Sequence, residues 1–298
     1  MVFKDIDIFW QAAQAILQGR DPYSIPNLEV FYPLPFYFLF IPLVALPLPV
    51  VHVGWTVLQA AILVAILRRR ALFVALSMPV LLTFILGQAD IMMAGFFVLL
   101  RAGIGSGIAL AFLVLKPQLV LLVAPWMLWQ WWQRDRWQIV WFLVLIGSLV
   151  ILSFIVQPDW VARFIARSGE RTRAAVSASL WGLLAYLPAT IWLPVAALAV
   201  AAIVIWVWRK NDFNLVAAVG LLTSPFIFSY NLLPLLALIR KPAFLIGFTI
   251  LSWATFAISA WQSNDRASAL LTLLALAALY AQRESAAPVL MPSRREGG

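Results

Sequence analysis

An all-α fold, a polytopic bundle of transmembrane helices, is what the sequence predicts, on three observations. Hydrophobic residues make up 64% of the 298 and charged residues 11%, so polar groups are too few to cover a water-soluble domain and the bilayer is the main solvent. The apolar residues are gathered into runs parted by short basic or proline-bearing breaks. Finally, 15 Trp and 18 Pro suit aromatic belts at the water–lipid boundary and broken helices around a cavity.

Residues 4–35 are the longest stretch that a bilayer would reject. In this first outer loop, taken as 1–33, Asp5 and Asp7 stand ahead of a short amphipathic helix. Its Ile6, Phe9, Trp10, Ala13 and Leu17 recur on one face, so it is expected to lie on the membrane surface. Gly19 ends it, Asp21-Pro22-Tyr23 turns, and Tyr32-Pro33-Leu34-Pro35 leads stiffly into the first apolar run. That run, 33–50, is cut by five prolines, whereas 51–67 is unbroken and stops at Arg68-Arg69-Arg70. Further runs cover 71–87, 91–100, 107–115, 118–132, 137–156, 189–208, 213–223, 231–239, 243–260 and 267–281. Several fall short of the ~20 residues that cross hydrocarbon. Those at 107–115 and 118–132, joined at Lys116-Pro117-Gln118, read as half-spans that meet water or a cavity at mid-depth. Residues 1–283 read as one transmembrane domain, and 284–298 as a polar, disordered cytoplasmic tail.

The net charge is +9, but the basic residues sit in short clusters between apolar runs rather than along one surface, which speaks for topology and against nucleic acid. Placing Arg68–Arg70, Arg101, Arg134, Arg136, Arg209, Lys210, Arg240, Lys241, Arg283, Arg294 and Arg295 in the cytoplasm gives that side 13 of the 21 basic and four of the 12 acidic residues. This positive-inside bias describes a multi-pass cell-membrane protein with its opening carboxylates outside and its C-terminus inside. A conflict follows, because Asp5 outside and Arg68 inside require an odd number of crossings while 33–67 reads as two segments. Either 33–50 is re-entrant or the tripled arginine lies outside. With no cysteine and a single histidine, a disulfide framework, a thiolate metal site and a zinc cluster are excluded. Without a glycine-rich phosphate loop or a Rossmann fingerprint, no nucleotide site is expected, and no cofactor and no metal ligand is assigned.

Several residues carry candidate chemistry. A partly desolvated carboxylate at the interface, Asp5 or Asp7, is able to act as general base towards a hydroxyl; equally, the two suit a helix N-terminus and hydrate it. Extended backbone would point them the same way and a helix would point them apart. Asp90, after Gly87-Gln88, either faces a cavity beside Gln88 or caps a helix. Lys116, between apolar residues and next to Gln118, either contacts a phosphate or snorkels at a helix break. Arg163, Arg167 and Arg171, four residues apart, either cradle a lipid phosphate or face water and headgroups. His52 reads as structural, Trp10 and Tyr23 are near enough to the carboxylates to stack on a sugar, and Ser224-Pro225 with Tyr230-Asn231 brings further polar groups to the outer face. Together these suggest group transfer from a lipid-phosphate carrier. The alternative is a non-catalytic transporter, flippase or lipid-glycan binding subunit using the same cavity and cations.

Asp5-Ile6-Asp7-Ile8-Phe9-Trp10-Gln11-Ala12-Ala13, Gly19-Arg20-Asp21-Pro22-Tyr23 and Tyr32-Pro33-Leu34-Pro35 are followed in order by Gly87-Gln88, Lys116-Pro117-Gln118, Ser179-Leu180-Trp181-Gly182 and Ser224-Pro225. This series resembles the motifs of glycosyltransferase family 87, GT-C-fold membrane enzymes that include polyprenyl-phosphate-mannose-dependent α-1,2-mannosyltransferases. The resemblance implies a polyprenyl-phosphate sugar donor, a lipid or glycan acceptor, an outward-facing site and inversion. It also implies an Asp base in the first outer loop, which Ala12-Ala13 align with Asp5, Asp7 being the fallback. Lys116 and the 163–173 arginines are then candidates for stabilising the departing phosphate, and Gln88, Asp90, Gln118, Tyr23 and Tyr230 for holding substrate. Two departures stand out: the family's usual first span is absent, as a late start site would leave it, and a His often found after the Ser-Pro motif gives way to Tyr230-Asn231.

Overall fold

The computed structural model describes residues 2–171, 174–188 and 190–283, and every regular element among them is helical. In chain order these are α1 (Lys4–Leu17), α2 (Leu34–Tyr37), α3 (Leu48–Leu67), α4 (Ala71–Val74), α5 (Met78–Leu86), α6 (Asp90–Ala102), α7 (Ser106–Val114) and α8 (Val123–Arg134). There follow α9 (Arg136–Val156), α10 (Trp160–Arg171), α11 (Leu180–Leu184), α12 (Trp192–Lys210), α13 (Phe213–Thr223), α14 (Leu233–Leu238), α15 (Pro242–Gln262) and α16 (Ala269–Arg283). Leu48–Val74, which is α3 continued through Arg68–Arg70 into α4, is long and apolar enough to cross a bilayer, as are α9, α12 and α15. α5 and α6 meet that test only as a pair, bent by 118° at their break. The chain is an all-α polytopic bundle.

The spanning helices present lipid on one side and protein on the other. In α3 the buried residues Val51, Trp55, Gln59, Leu63 and Leu67 recur every fourth position, a stripe one helix face wide, while Val53, Val57 and Val64 are exposed. α9 buries little beyond Phe142 and Ser153 and leaves Leu143, Ile151 and Ile155 bare, as a lipid-facing helix does. Gly107 lets α7 close on it: a Cβ there would stand 2.2 Å from the Gln138 carbonyl oxygen.

The opening stretch differs from its expected form in two ways. The helix starts at Lys4, so Asp5 and Asp7 lie inside its first turn, on different faces. Its apolar side is covered by protein: Ile6, Phe9, Ala12, Ala13 and Ile16 are buried, whereas Leu17 is exposed. The face is therefore rotated from the one read through Leu17, and it packs on the aromatic segment after Pro33. The Phe9 ring meets Phe36 at 5.1 Å and Phe40 at 4.7 Å, Phe40 meets Trp55 at 5.5 Å, and the Trp10 indole N–H donates to the Leu43 carbonyl at 3.2 Å.

This packing fits the re-entrant alternative for residues 33–50. Leu34–Ala45 is a short apolar helix, with Pro42 inside its 3-10 turn, and it folds beside α1 instead of crossing. One crossing, by α3, then separates the α1 end from Arg68–Arg70. At the α1 end, the Phe3 N–H donates to the Ile85 carbonyl at 2.7 Å and Ile6 fills the bend between α5 and α6. Gly87 sits at that bend with φ +72°, and a Cβ on it would lie 2.6 Å from Ile6 Cγ2. Both the left-handed backbone and the close approach call for glycine.

A second anchor is Asp265, in the turn between α15 and α16. It accepts from the Ser229 N–H at 2.6 Å and from the Ser268 hydroxyl at 2.6 Å, holding the 229–232 turn in place. Burial pushes its carboxyl above the ordinary 3.8, against the pull of Ser268 and Ser229. The folded state thus penalises the ionised form, so stability is greatest below about pH 4 and falls as pH rises towards the folded value. Asp265→Asn should remove that fall, as read from thermal unfolding of the detergent-solubilised protein across pH. Gly87→Ala should cost about 1–3 kcal/mol in the same assay, and the cost should shrink in a chain already carrying Ile6→Ala, because only the backbone strain then remains.

Candidate active site

Three helix interruptions converge on one buried polar chain. Asp90 opens α6 just beyond the bend, and Lys116 lies where Pro117, lacking an N–H, stops α7. Both side chains are fully buried, and the Lys116 ammonium meets Asp90 Oδ2 at 2.6 Å. Asp90 Oδ1 accepts from Asn231 Nδ2 at 2.7 Å, while Asn231 Oδ1 accepts from the Phe228 N–H at 2.9 Å. On the other side, Lys116 reaches Gln88 Oε1 at 3.5 Å, and Gln88 Nε2 donates to Asp5 Oδ2 at 2.8 Å. The donors and acceptors alternate from Phe228 to Asp5, which fixes how both amides are turned.

Aromatic rings close the ammonium in. The Tyr32 ring centroid is 5.2 Å from Lys116 Nζ and that of Tyr230 5.6 Å, within the range of cation–π attraction. The backbone holds these rings in turn. The buried Tyr23 hydroxyl donates to the Tyr32 carbonyl at 2.9 Å, and the Tyr37 hydroxyl accepts from the Tyr32 N–H at 3.1 Å. Burial, then Tyr37 and Asp21, raise the Tyr23 hydroxyl above its ordinary value, so it stays a donor. Tyr23 thus steadies Tyr32 through its hydroxyl.

Asp7 points elsewhere, as a helix requires of residues two apart. Its Oδ1 lies 2.5 Å from His52 Nε2, and the imidazole stacks on Phe3 with centroids 4.5 Å apart. A cleft of about 370 Å³ opens beside it, with Lys4, Gln11 and Asn27 also in its walls. In the arginine row, Arg163 pairs with Asp159 at 2.6 Å and with Asp21, and Arg167 donates twice to the Tyr23 carbonyl, at 3.1 and 3.0 Å. The Arg163 hydrogen bond holds the exposed Asp159 carboxyl below its ordinary value. Gln118 is half-buried and joins no bond of the chain. The Arg171 side chain and all of Arg173 lie outside the described residues, as does the 284–298 tail.

Asp5, Gln88, Asp90, Lys116 and Tyr230, named from sequence, therefore meet, while Asp7, Gln118 and the arginines do not join them. Asn231 and Tyr32 are the additions. An asparagine inside the apolar 231–239 run is a signal for Asn231, since a buried amide must find partners; Tyr32 carries no such mark.

Residues 31–229 match the sequence profile of glycosyltransferase family 87. The chain belongs to glycosyltransferase family 87. The matched two thirds of the chain take in Gln88, Asp90, Lys116 and α10; α1 precedes them, and Tyr230 and Asn231 follow. No curated protein matches the chain, and no solved structure does. Membership in family 87 makes the protein a membrane glycosyltransferase, in place of the transporter or binding-subunit alternative.

A lone charge in this dry site would be costly. Lys116→Met or Asp90→Asn should each destabilise the protein by about 3–5 kcal/mol, and the double variant by clearly less than their sum, because no unpaired charge is left. Chemical unfolding of the four species in one detergent measures this.

Proposed function

We propose that this family 87 enzyme transfers a hexose, mannose among the candidates, from a polyprenyl phosphate to a hydroxyl of a lipid or glycan acceptor at the outer face of the membrane. Asp5 is the base. The single observation that carries this reading is where the buried chain ends: Asp90 is fully buried and held by Lys116, whereas Asp5, at the other end, is only half-buried.

In the reaction Asp5 takes the proton of the acceptor hydroxyl as its oxygen attacks the anomeric carbon. The bond from that carbon to the phosphate oxygen breaks, its electron pair leaving with the lipid phosphate, and a single displacement inverts the anomeric centre. Gln88 turns its amide N–H towards Asp5 and so sets the carboxylate's orientation. Lys116 is committed to Asp90, and the role of steadying the leaving phosphate passes from it to Arg163 and Arg167 beside the Asp21–Tyr23 turn. The outer location rests on the cationic ends, which gather at the far end of α3 from α1, the cytoplasmic end by the positive-inside rule.

Sugar transfer in reconstituted membranes, with a panel of polyprenyl-phosphate hexoses as donors, tests this. Asp5→Asn should lower turnover by 10²-fold or more without changing donor binding, and Asp7→Asn should keep most of it. A dead Asp7→Asn beside an active Asp5→Asn would move the base to the Asp7–His52 pair, and absence of transfer from every polyprenyl phosphate would reject the donor class.

A further inference from the structure

At the end of α3 far from α1, four arginines are linked in a circuit that, among the described residues, holds one carboxylate, Asp212. Arg70 donates to the carbonyl of Ile239 at 2.6 Å, next to Arg240, whose own N–H bonds Gln282 at 2.7 Å. Arg283 follows Gln282, and it reaches the Lys210 carbonyl at 3.1 Å and Asp212 at 3.7 Å. Asp212 caps α13 through the Asn214 N–H at 2.9 Å, and the Asn214 side-chain oxygen accepts from Arg101 Nε at 2.9 Å. The ring closes through space, for Arg101 is near enough to Arg240 and Arg70 to be repelled by both, and Arg70 by Arg240 and Arg68.

Among the described residues, positive charge is in excess here. Asp212 is the one carboxylate among them that is bonded into the circuit, and its oxygens already serve the α13 N-terminus and Arg283. Arg70, Arg101 and Arg283 are half-buried and Arg240 is exposed, so the ring is partly dry yet open to the headgroup layer. Bare apolar side chains lie near it in the chain, Leu72 two residues after Arg70 and Ile246 five after Lys241, where acyl chains would lie. The charge, depth and flanks all fit a phosphate that carries lipid tails.

We infer that this ring binds a phosphate anion, supplied by the headgroup of an anionic phospholipid in the leaflet opposite the candidate active site. It is not the donor's phosphate, since the whole length of α3 separates the ring from Asp5 and Gln88. Bound there, the headgroup joins the ends of α3, α6, α14 and α16 and relieves their mutual repulsion.

The test uses the full chain in detergent, titrated with phosphatidylglycerol, phosphatidylcholine or inorganic phosphate, with bound lipid counted by native mass spectrometry and stability followed by thermal unfolding. Phosphatidylglycerol should be retained and raise the unfolding midpoint, while phosphatidylcholine and inorganic phosphate should not. Arg101→Gln and Arg240→Gln should each weaken retention about fivefold, and Arg101→Lys should keep most of it. Arg240→Gln keeps the fold testable, since the side chain is exposed and only its backbone N–H is used. Equal retention of the two lipids, or unchanged phosphatidylglycerol retention in a folded Arg240→Gln chain, overturns the site. Stabilisation by inorganic phosphate equal to that by phosphatidylglycerol overturns the lipid source.

Discussion

The ion pair between Lys116 and Asp90 constrains the rest of the molecule. Two opposite charges without contact with solvent are stable in an apolar bundle only as long as each has the other and its remaining hydrogen-bonding capacity is met. The helix interruptions around the pair meet that need. The bend after Gly87 presents Gln88 and Asp90, the stop at Pro117 presents Lys116, and the 229–232 turn presents Asn231. What reads locally as three separate breaks is one electrostatic requirement satisfied from three directions.

The same requirement explains why the apolar face of α1 packs on protein. Asp5 is drawn to Gln88, Ile6 fits the space that the absent Gly87 side chain leaves, and Phe9 enters the aromatic cluster of Phe36 and Phe40. A surface helix could make none of these contacts. The two acidic residues of the first turn consequently face different surroundings, Asp5 the buried chain and Asp7 the His52 imidazole.

Much of the fold was legible because its signals are local. The lengths of 51–67, 137–156 and 243–260 required spanning helices, and Gly87 and Pro117 marked breaks that the structure places at the site. The arginine clusters foretold which ends of the helices lie together. What was not legible is pairing at a distance. Nothing in residues 33–50 says that they fold back along α1, because a proline-cut apolar run looks the same whether it crosses lipid or packs on a neighbour. The exposed Leu17 shows the same limit, since a rotation of one helix face depends on what the helix packs against. For the site, residue types picked out Asp5, Gln88, Asp90 and Lys116, but the partners that decide their roles are 26 to 141 residues away. The carboxylate that pairs with Lys116 was out of sight in the sequence, as were Asp21 and the Tyr23 carbonyl, which hold Arg163 and Arg167.

The distance between Asp90 and Asn231 bears on how the protein is made. A chain that enters the membrane from its N-terminus exposes Asp5 first, then Gln88 and Asp90, then Lys116, and Asn231 only after several further helices have been synthesised. Until the last of these arrives, one oxygen of a carboxylate destined for complete burial lacks its amide partner, and the turn that holds Tyr230 against the ammonium does not exist. The site therefore forms late, by docking of segments already in the bilayer, and a chain halted before the 229–232 turn keeps most of its spans while its polar centre stays open.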